Sequence, residues 1–258
     1  MKIWYQSAGA LGKNPNYKEY YEMLNSYLQK VARPGTEVAV HGVERSSPKI
    51  QTSRYEELLH HYQVVENFLQ AQREGYDAFC VGCALDPGFY AIREVAEIPY
   101  CTLSETNMLL ACLLSPNFSL LCHHKPLLLR VIEYVKRYGL QDRFIEVDSF
   151  GVHPSELHRA FADPEFILKP AREVAKDAAK KGVGMFVVAE GVINMILAKH
   201  NIKELEGIPI LEGGAALIKV SEMLVDLKSV GIEASRLGLY TPLPKEDLEF
   251  MRKLHGVA

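Results

Sequence analysis

Short apolar runs rich in β-branched residues alternate along the chain with longer stretches in which apolar residues recur every three or four positions. The short runs predict eight strands: Lys2–Gln6, Thr36–His41, Asp77–Gly82, Ile98–Cys101, Asn117–Cys122, Phe144–Phe150, Gly184–Ala189 and Ile208–Leu211. The longer stretches predict helices over Tyr17–Val31, Tyr55–Glu74, Pro87–Ala96, Pro126–Tyr138, Glu165–Lys181 and Ala215–Lys228, followed by a surface helix over Pro244–Leu254. This alternation favours an α/β fold with parallel sheets and crossover helices.

The chain also contains an internal repeat. Residues 75–83 align with residues 182–190 at an offset of 107, and residues 98–101 align with residues 208–211 at an offset of 110. Both matches have the same helix–strand–helix context, so we predict two similar four-stranded halves. The first half comprises residues 1–114 plus 208–258, and the second comprises residues 115–207. Ligands of parallel sheets bind beyond the carboxyl ends of the strands, so the two halves should share one cleft.

Composition narrows the class of protein. The 258 residues include 29 Lys and Arg against 32 Asp and Glu, with a formal charge of −3 and no basic run, so we do not expect a nucleic-acid partner. No stretch approaches the ~18 apolar residues of a membrane helix, and no apolar signal core opens the chain, so we expect a cytoplasmic protein with no membrane partner. Five cysteines in mostly apolar runs fit a reducing compartment.

Cys83 is the first candidate for chemistry. It ends the third predicted strand and precedes Asp86-Pro87-Gly88-Phe89, a pattern that predicts an N-cap Asp with Pro at the first helical position. A thiol facing a helix N-terminus is favoured as thiolate. The alternative is a small buried residue. Cys80 points to the opposite face of the strand, and we treat Cys80, Cys101 and Cys112 as core residues.

Glu190 is the second candidate, because the repeat places it where Cys83 lies in the first half. A carboxyl at the end of a buried strand needs a partner or a role, although a helix-cap or surface position is the simpler explanation. A thiol and a carboxyl on opposite walls could invert a C–H centre, one removing a proton and the other supplying one. The sequence therefore predicts an acid/base pair of Cys83 and Glu190.

Other residues at or just after strand ends are candidates for substrate binding. They are Gln6, Ser7, Ala84, Leu85, Ser104, Glu105, Cys122, His123, His153, Gly191 and Gly213. Backbone N–H groups at some of these positions could hold an anionic or carbonyl oxygen, with helix capping as the alternative. We predict no metal site, since the pairs His60-His61 and His123-His124 are adjacent in sequence and do not share a helix face.

Two segments resemble a known family. Cys83-Ala84-Leu85-Asp86-Pro87-Gly88, with the following Ala91-Ile92-Arg93-Glu94 and Ile98-Pro99, resembles the first active-site signature of the aspartate/glutamate/hydantoin racemase superfamily. Residues 208–216 resemble the closing segment of its hydantoin and allantoin racemase branch. The resemblance implies an α/β fold of two pseudo-symmetric Rossmann-like halves, each with a roughly four-stranded parallel sheet flanked by helices. It also implies a small-molecule substrate, no cofactor, and one cysteine from each half beside the substrate carbon. We expect a homo-oligomer.

The chain departs from that family pattern at two places. Glu190 stands where the second cysteine is expected, and Asn14-Pro15-Asn16 lies about eight residues after the first strand tip instead of at it. Reference pKa values of ~8.5 for Cys and ~4.3 for Glu make the protonated thiol with the carboxylate the resting pair. Moving the proton between them costs roughly 6 kcal/mol. Either the site shifts both pKa values toward each other, or Glu190 acts as base and Cys83 as acid or nucleophile.

Three functions fit these observations. The first is a cofactor-independent racemase or epimerase of a small amino-acid-like or hydantoin-like compound. The second is a one-way cysteine-dependent decarboxylase or hydrolase of a small carboxylate or cyclic amide. The third is a small-molecule binding protein without catalysis.

Overall fold

Two sheets organise the fold of the computed structural model, which describes residues 1–11, 15 and 18–257. The first sheet is parallel with the order β2-β1-β3-β4, and the second has the order β5-β6-β8-β7. Their strands are β1 (Lys2–Gln6), β2 (Glu37–His41), β3 (Ala78–Val81), β4 (Tyr100–Thr102), β5 (Ser119–Leu121), β6 (Phe186–Val188), β7 (Glu204–Leu205) and β8 (Ile208–Leu211). The predicted α/β class with two helix-flanked, four-stranded sheets is confirmed.

Helices connect these strands and cover the sheets. They are α1 (Lys18–Val31), α2 (Arg54–Arg73), α3 (Phe89–Val95), α4 (Leu103–Leu114), α5 (Lys125–Arg137), α6 (Glu165–Lys180), α7 (Gly191–Lys199), α8 (Gly213–Ser229) and α9 (Lys245–Leu254). Two 3₁₀ turns, Pro48–Gln51 and Pro154–Phe161, interrupt the long connections. Across the described residues, no helix combines the length and apolar character that crossing a bilayer requires.

The internal repeat corresponds to a structural repeat. β3 lies between β1 and β4 in its sheet, and β6 lies between β5 and β8 in the other. All four residues of β3 and all three of β6 are buried, as expected for central strands of a parallel sheet. β3 leads through α3 to the parallel strand β4 and then to α4. β6 leads through α7 and the short β7 to β8, which is parallel to β6, and then to α8. The residues that follow β3 and β6 therefore occupy equivalent places in the two halves.

Three expectations about the second half are corrected by the structure. Residues 144–150 do not form a strand: Phe144 makes a single bridge to Phe118, and Phe150 donates one hydrogen bond to the carbonyl of Cys122. The fourth place in the sheet is taken by β7, which pairs antiparallel with β8, so the sheet is not wholly parallel. The boundary expected at residue 208 is also displaced, because β8 pairs with β6 and the chain returns to the first half only with α8.

A hydrophobic core continues from one half into the other. Ile3 and Leu24 of the first half belong to the same buried cluster as Phe118 and Phe186 of the second. α8 contributes Leu217 to this cluster and packs against α1, α4 and α7 as well as β3 and β4. The halves are thus held together by shared apolar burial, which fixes the distance between their strand ends.

Candidate active site

Cys83 and Glu190 lie just beyond the carboxyl ends of β3 and β6, as the repeat predicts. The neighbouring glycines bring the two strand ends together. A Cβ atom added to Gly191 would lie 3.6 Å from the carbonyl oxygen of Gly82 and 3.1 Å from the hydroxyl of Tyr20. At Gly82 itself an added Cβ would lie 1.8 Å from the hydroxyl oxygen of Tyr5, so this position has no space for a side chain. Close backbone approach is one of the specific uses of glycine.

Both residues line a cavity of about 420 Å³ between the halves. Four other residues predicted to bind substrate also line it: Ser7, Ala84, Leu85 and Gly191. Among the described residues in its lining, Cys83 supplies the single thiol and Glu190 the single carboxyl, and neither Lys nor Arg is present. The sequence therefore located a thiol and a carboxyl that share this cavity.

The surroundings of Cys83 favour its thiol form, against the bias toward thiolate that a facing helix N-terminus would give. Burial raises its pKa to about 12, against the backbone hydrogen bond from Leu85, and the nearby charges of Asp86, Glu190 and Glu57 raise it further. The expectation also placed a helix start directly after Asp86. α3 begins instead at Phe89, and its N-cap is Gly88 in the left-handed region with φ of 78°. The Asp86 carboxylate does not cap α3, because it binds the first turn of α4.

Glu190 caps the N-terminus of a helix and also lines the cavity. It is the N-cap of α7, and its Oε2 accepts a hydrogen bond of 2.9 Å from the backbone N–H of Ile193. Burial nevertheless raises the pKa of this carboxyl to about 7, although hydrogen bonds from the backbones of Ile193 and Val192 favour its charged form. Near neutral pH the group therefore exists in both protonation states, which suits a general acid or base.

The pair keeps the order of acidity expected from the isolated side chains. Burial raises both pKa values, so Glu190 stays the stronger acid, and the resting pair at neutral pH is the Cys83 thiol with Glu190 partly ionised. Burial does not bring the two pKa values together, since desolvation penalises the charged form of each group and raises both. Glu190 is therefore the better base and Cys83 the better proton donor.

Three first-half residues predicted to bind substrate do not line this cavity. The Gln6 side chain is buried, accepting hydrogen bonds from Trp4 and Asn67 and donating to the Ser7 carbonyl. Ser104 donates its hydroxyl to the Ala84 carbonyl at 2.7 Å, and Glu105 pairs with Arg93. Glu105 instead lines a separate cavity of about 500 Å³ between α4 and α8, which contains neither Cys83 nor Glu190. Gln6 and Ser104 instead bind the backbone carbonyls of Ser7 and Ala84, which do line the cavity.

Four further residues predicted to bind substrate are also absent from the lining, three from the second half and Gly213 from the start of α8. Cys122 is buried, and burial raises its pKa to about 12. His123 is buried with Nδ1 at 2.9 Å from the Val152 carbonyl oxygen, and burial lowers its pKa to about 4. His153 is exposed and contacts Ser155, while the backbone N–H of Gly213 donates to Asn194. The candidate Asn14-Pro15-Asn16 segment falls largely outside the described residues, because the structure describes only Pro15.

Two loops complete the cavity and were not predicted as part of the site. One contributes Ser46, Ser47, Ile50 and Gln51 from the first half, and the other contributes Pro154, Ser155 and His158 from the second. Tyr20 of α1 also lines the cavity. The loop from Ser46 to Gln51 lies beyond the strand tip predicted at His41, and Tyr20 lies in a predicted helix, so strand-end reasoning did not find them. Pro154 and Ser155 directly follow the candidate His153 but were not predicted themselves. Across the described chain, no three His, Cys, Asp or Glu side chains are grouped as a metal ion requires.

Comparison with known proteins places this site in a family. The family model for Asp/Glu/Hydantoin racemase matches residues 16–220. A hydantoin racemase from Pseudomonas sp. is 27% identical over 212 residues, which are 82% of either chain. A hydantoin racemase from Paenarthrobacter aurescens is 26% identical over 88% of this chain and 94% of its own. The structure of allantoin racemase from Klebsiella pneumoniae has a similar fold, with a TM-score of 0.76 and 23% identity over 94% of both chains.

Proposed function

Because the chain belongs to the Asp/Glu/hydantoin racemase family, we propose that it is a cofactor-independent racemase or epimerase in which Glu190 and Cys83 exchange protons with one substrate carbon. The observation that carries the mechanism is the pair itself: one carboxyl and one thiol, at equivalent strand ends of the two halves, on one cavity. Such a pair supplies a base and an acid without any further group.

The proposed reaction moves two protons. The Glu190 carboxylate takes the proton from the carbon next to a substrate carbonyl, and the C–H electron pair moves into that carbonyl to give an enolate. The Cys83 thiol then protonates the opposite face of the carbon and becomes a thiolate. The resulting pair, a Glu190 carboxylic acid and a Cys83 thiolate, is the form that converts the other enantiomer by the reverse steps.

The cavity favours a neutral, cyclic amide-like substrate over a free amino acid. Its described lining offers hydroxyl groups from Ser7, Ser46, Ser47 and Ser155 but no Lys or Arg to pair with a carboxylate. A substrate carboxylate would also be repelled by the ionised Glu190. Hydantoins are neutral cyclic amides, and two relatives are named for them. We therefore place a hydantoin-like compound first and an amino-acid-like compound second.

A second candidate function is one-way chemistry, such as decarboxylation of a small carboxylate. The unequal acidities of the pair favour it, since the cavity contains one proton-donating thiol and one stronger acid instead of two matched groups. In that reaction, loss of CO₂ would leave the electron pair on carbon, and the Cys83 thiol would protonate it. Net product formation distinguishes this reaction from racemisation.

Incubation of single enantiomers in deuterated water tests both functions. The panel contains 5-substituted hydantoins, allantoin, aspartate, glutamate and an arylmalonate. Racemisation predicts loss of optical rotation with deuterium at the stereogenic carbon, whereas decarboxylation predicts CO₂ release. Cys83→Ala and Glu190→Gln should abolish turnover, while Cys112→Ala, which removes a half-buried thiol outside the cavity, should retain it. A fully active, folded Cys83→Ala variant would contradict the mechanism.

Two further expectations stay predictions. One is that the protein works in the cytoplasm, and the other is that it forms a homo-oligomer. The exposed leucines Leu109, Leu113 and Leu114 on α4 support self-association, because grouped apolar side chains on a surface favour protein contacts. Light scattering after size-exclusion chromatography measures the assembly, and a monomer at every concentration would contradict it.

A further inference from the structure

Asp86 follows Cys83 by three residues, and its side chain is completely buried. Its carboxylate accepts hydrogen bonds from the backbone N–H groups of Ser104 at 2.9 Å and Glu105 at 3.0 Å, both in the first turn of α4. The hydroxyl of Tyr138, which ends α5 in the second half, donates to Asp86 Oδ2 at 2.5 Å. One carboxylate thus joins the loop that carries Cys83 to an element of each half.

The same loop is held at two more points. The hydroxyl of Ser104 donates to the carbonyl of Ala84 at 2.7 Å, and the hydroxyl of Tyr134 lies 2.7 Å from the carbonyl oxygen of Leu85. Every residue from Ala84 to Asp86 is therefore tied to α4 or α5. The thiol of Cys83 is oriented by a loop with little freedom.

α5 makes these contacts from one face. Arg130, Tyr134 and Tyr138 recur every four residues, which places them along one side of the helix. Arg130 pairs with the buried Glu57 and donates to the carbonyl of Ile50 at 2.7 Å. Ile50 and Leu85 both line the cavity. A single helix of the second half therefore fixes two walls that the first half contributes.

The backbone at Asp86 lies in the left-handed region, with φ of 39°. A non-glycine residue in this conformation is strained, and it persists only where its surroundings enforce it. The three hydrogen bonds to the carboxylate provide that enforcement. An Asp at this position therefore serves the conformation of the loop and not the capping of the helix that follows.

We propose that Asp86 is a positioning residue for Cys83, which aims the thiol into the cavity by tying its loop to α4 and Tyr138. The negative charge of Asp86 near the thiol also favours the protonated form of Cys83. The proposal rests on the proposed function for its catalytic meaning. Asp86 does not line the cavity, so it acts through Cys83 and not on substrate. Titratable groups around Asp86 and the thiol are Glu57, Glu105, Glu190, Arg93, Tyr100, Tyr134, Tyr138 and Arg137.

The test measures the thiol directly and does not depend on turnover. Iodoacetamide alkylation of Cys83 is followed against pH by peptide mass spectrometry in the wild type, Asp86→Asn, Asp86→Glu and Tyr138→Phe. Tyr62→Phe, which removes an exposed hydroxyl of α2, is the matched control. Thermal unfolding shows which variants fold. If Asp86→Asn fails to fold, Tyr138→Phe still tests the proposal.

In Asp86→Asn we expect alkylation to begin at lower pH than in the wild type, because the negative charge beside the thiol is gone. Asp86→Glu restores the charge and should return the alkylation profile toward wild type, without restoring the rate of turnover. Tyr138→Phe and Asp86→Asn should each lower kcat about tenfold or more with KM within about twofold, whereas Tyr62→Phe changes nothing.

Folded Asp86→Asn and Tyr138→Phe variants with the wild-type alkylation profile and wild-type kcat would overturn the proposal. The outcome is separable from that of the proposed function. A wild type that alters no substrate of the panel, with an alkylation profile that shifts in Asp86→Asn, would refute racemisation and leave the positioning role intact.

Discussion

Replacing Glu190 by Gln should stabilise the folded protein while it abolishes turnover. The amide oxygen of Gln can still accept the hydrogen bond from the backbone N–H of Ile193, so the cap of α7 survives. What the substitution removes is a charge that burial disfavours. The change thus separates the catalytic role of the carboxyl from its structural role.

The magnitude follows from the pKa of the buried carboxyl. Burial raises the pKa of Glu190 from 4.5 to about 7, so the folded state binds a proton that the unfolded state releases between these values. A raised carboxyl pKa means that stability is lost as pH rises toward 7 and that the full loss is present above 7. At ~1.4 kcal/mol per pH unit this amounts to at most about 3.5 kcal/mol, reduced by the partial exposure of the side chain to the cavity.

Thermal unfolding at pH 8.5 and pH 5 measures the effect. For a chain of this length ~1 kcal/mol shifts the Tm by about 2–4 °C, so Glu190→Gln should raise the Tm by several degrees at pH 8.5 and by much less at pH 5. Glu212→Gln is the matched control, because Glu212 caps α8 in the same way and does not line the cavity. An equal shift at both pH values, or one that Glu212→Gln reproduces, would refute the assignment of a buried, ionising Glu190.

Three kinetic predictions follow from the same pair. Both working forms carry one proton shared between Glu190 and Cys83. We therefore expect kcat/KM for either enantiomer to fall tenfold per pH unit below about pH 7 and to stay flat up to at least pH 10. A plateau of kcat/KM that extends below pH 6 would contradict this. Glu190→Cys gives two facing thiols. The pH at which kcat/KM begins to fall on the acidic side should then move toward or beyond ~8.5, the reference pKa of Cys. An unchanged pH profile would show that Glu190 is not the base. Gly191→Ala places a Cβ 3.1 Å from the hydroxyl of Tyr20. This variant should lower kcat/KM about tenfold or more with little change in Tm. A fully active variant would show that the strand ends need not approach so closely.

The sequence was sufficient to predict the first sheet, most of the second, and the place of Cys83 and Glu190 beside one cavity. Strands β1 and β8 have the predicted bounds, and β1 is buried along all but its first residue, as expected of a strand inside a covered parallel sheet. Cys83 and Glu190 were found because the repeat made them equivalent and strand ends converge in parallel sheets. These inferences depend on local pattern and topology, both of which sequence carries.

The remaining features depend on contacts between distant residues. Asp86 has the sequence signature of an N-cap for α3, yet its partners are backbone N–H groups 18 and 19 residues further on. The protonation of Cys83 depends on burial between the halves, which no strand-end argument measures. The loops that contribute Ile50 and Ser155 to the cavity follow no periodic pattern. A fold can thus be predicted from periodicity while its electrostatics cannot.

The path of the chain through the two halves has a consequence for its synthesis. α8 covers β3 and β4 and packs on α1 and α4, yet residues 213–229 are translated after the whole second half. Until they leave the ribosome, the first half exposes the apolar face that α8 will bury, including the side of the sheet where Cys80 and Cys101 lie. Domains usually fold as units during synthesis, amino-terminal part first. Here the first half is completed only by α8, so Cys83 reaches its final setting only after residues 213–229 have been translated.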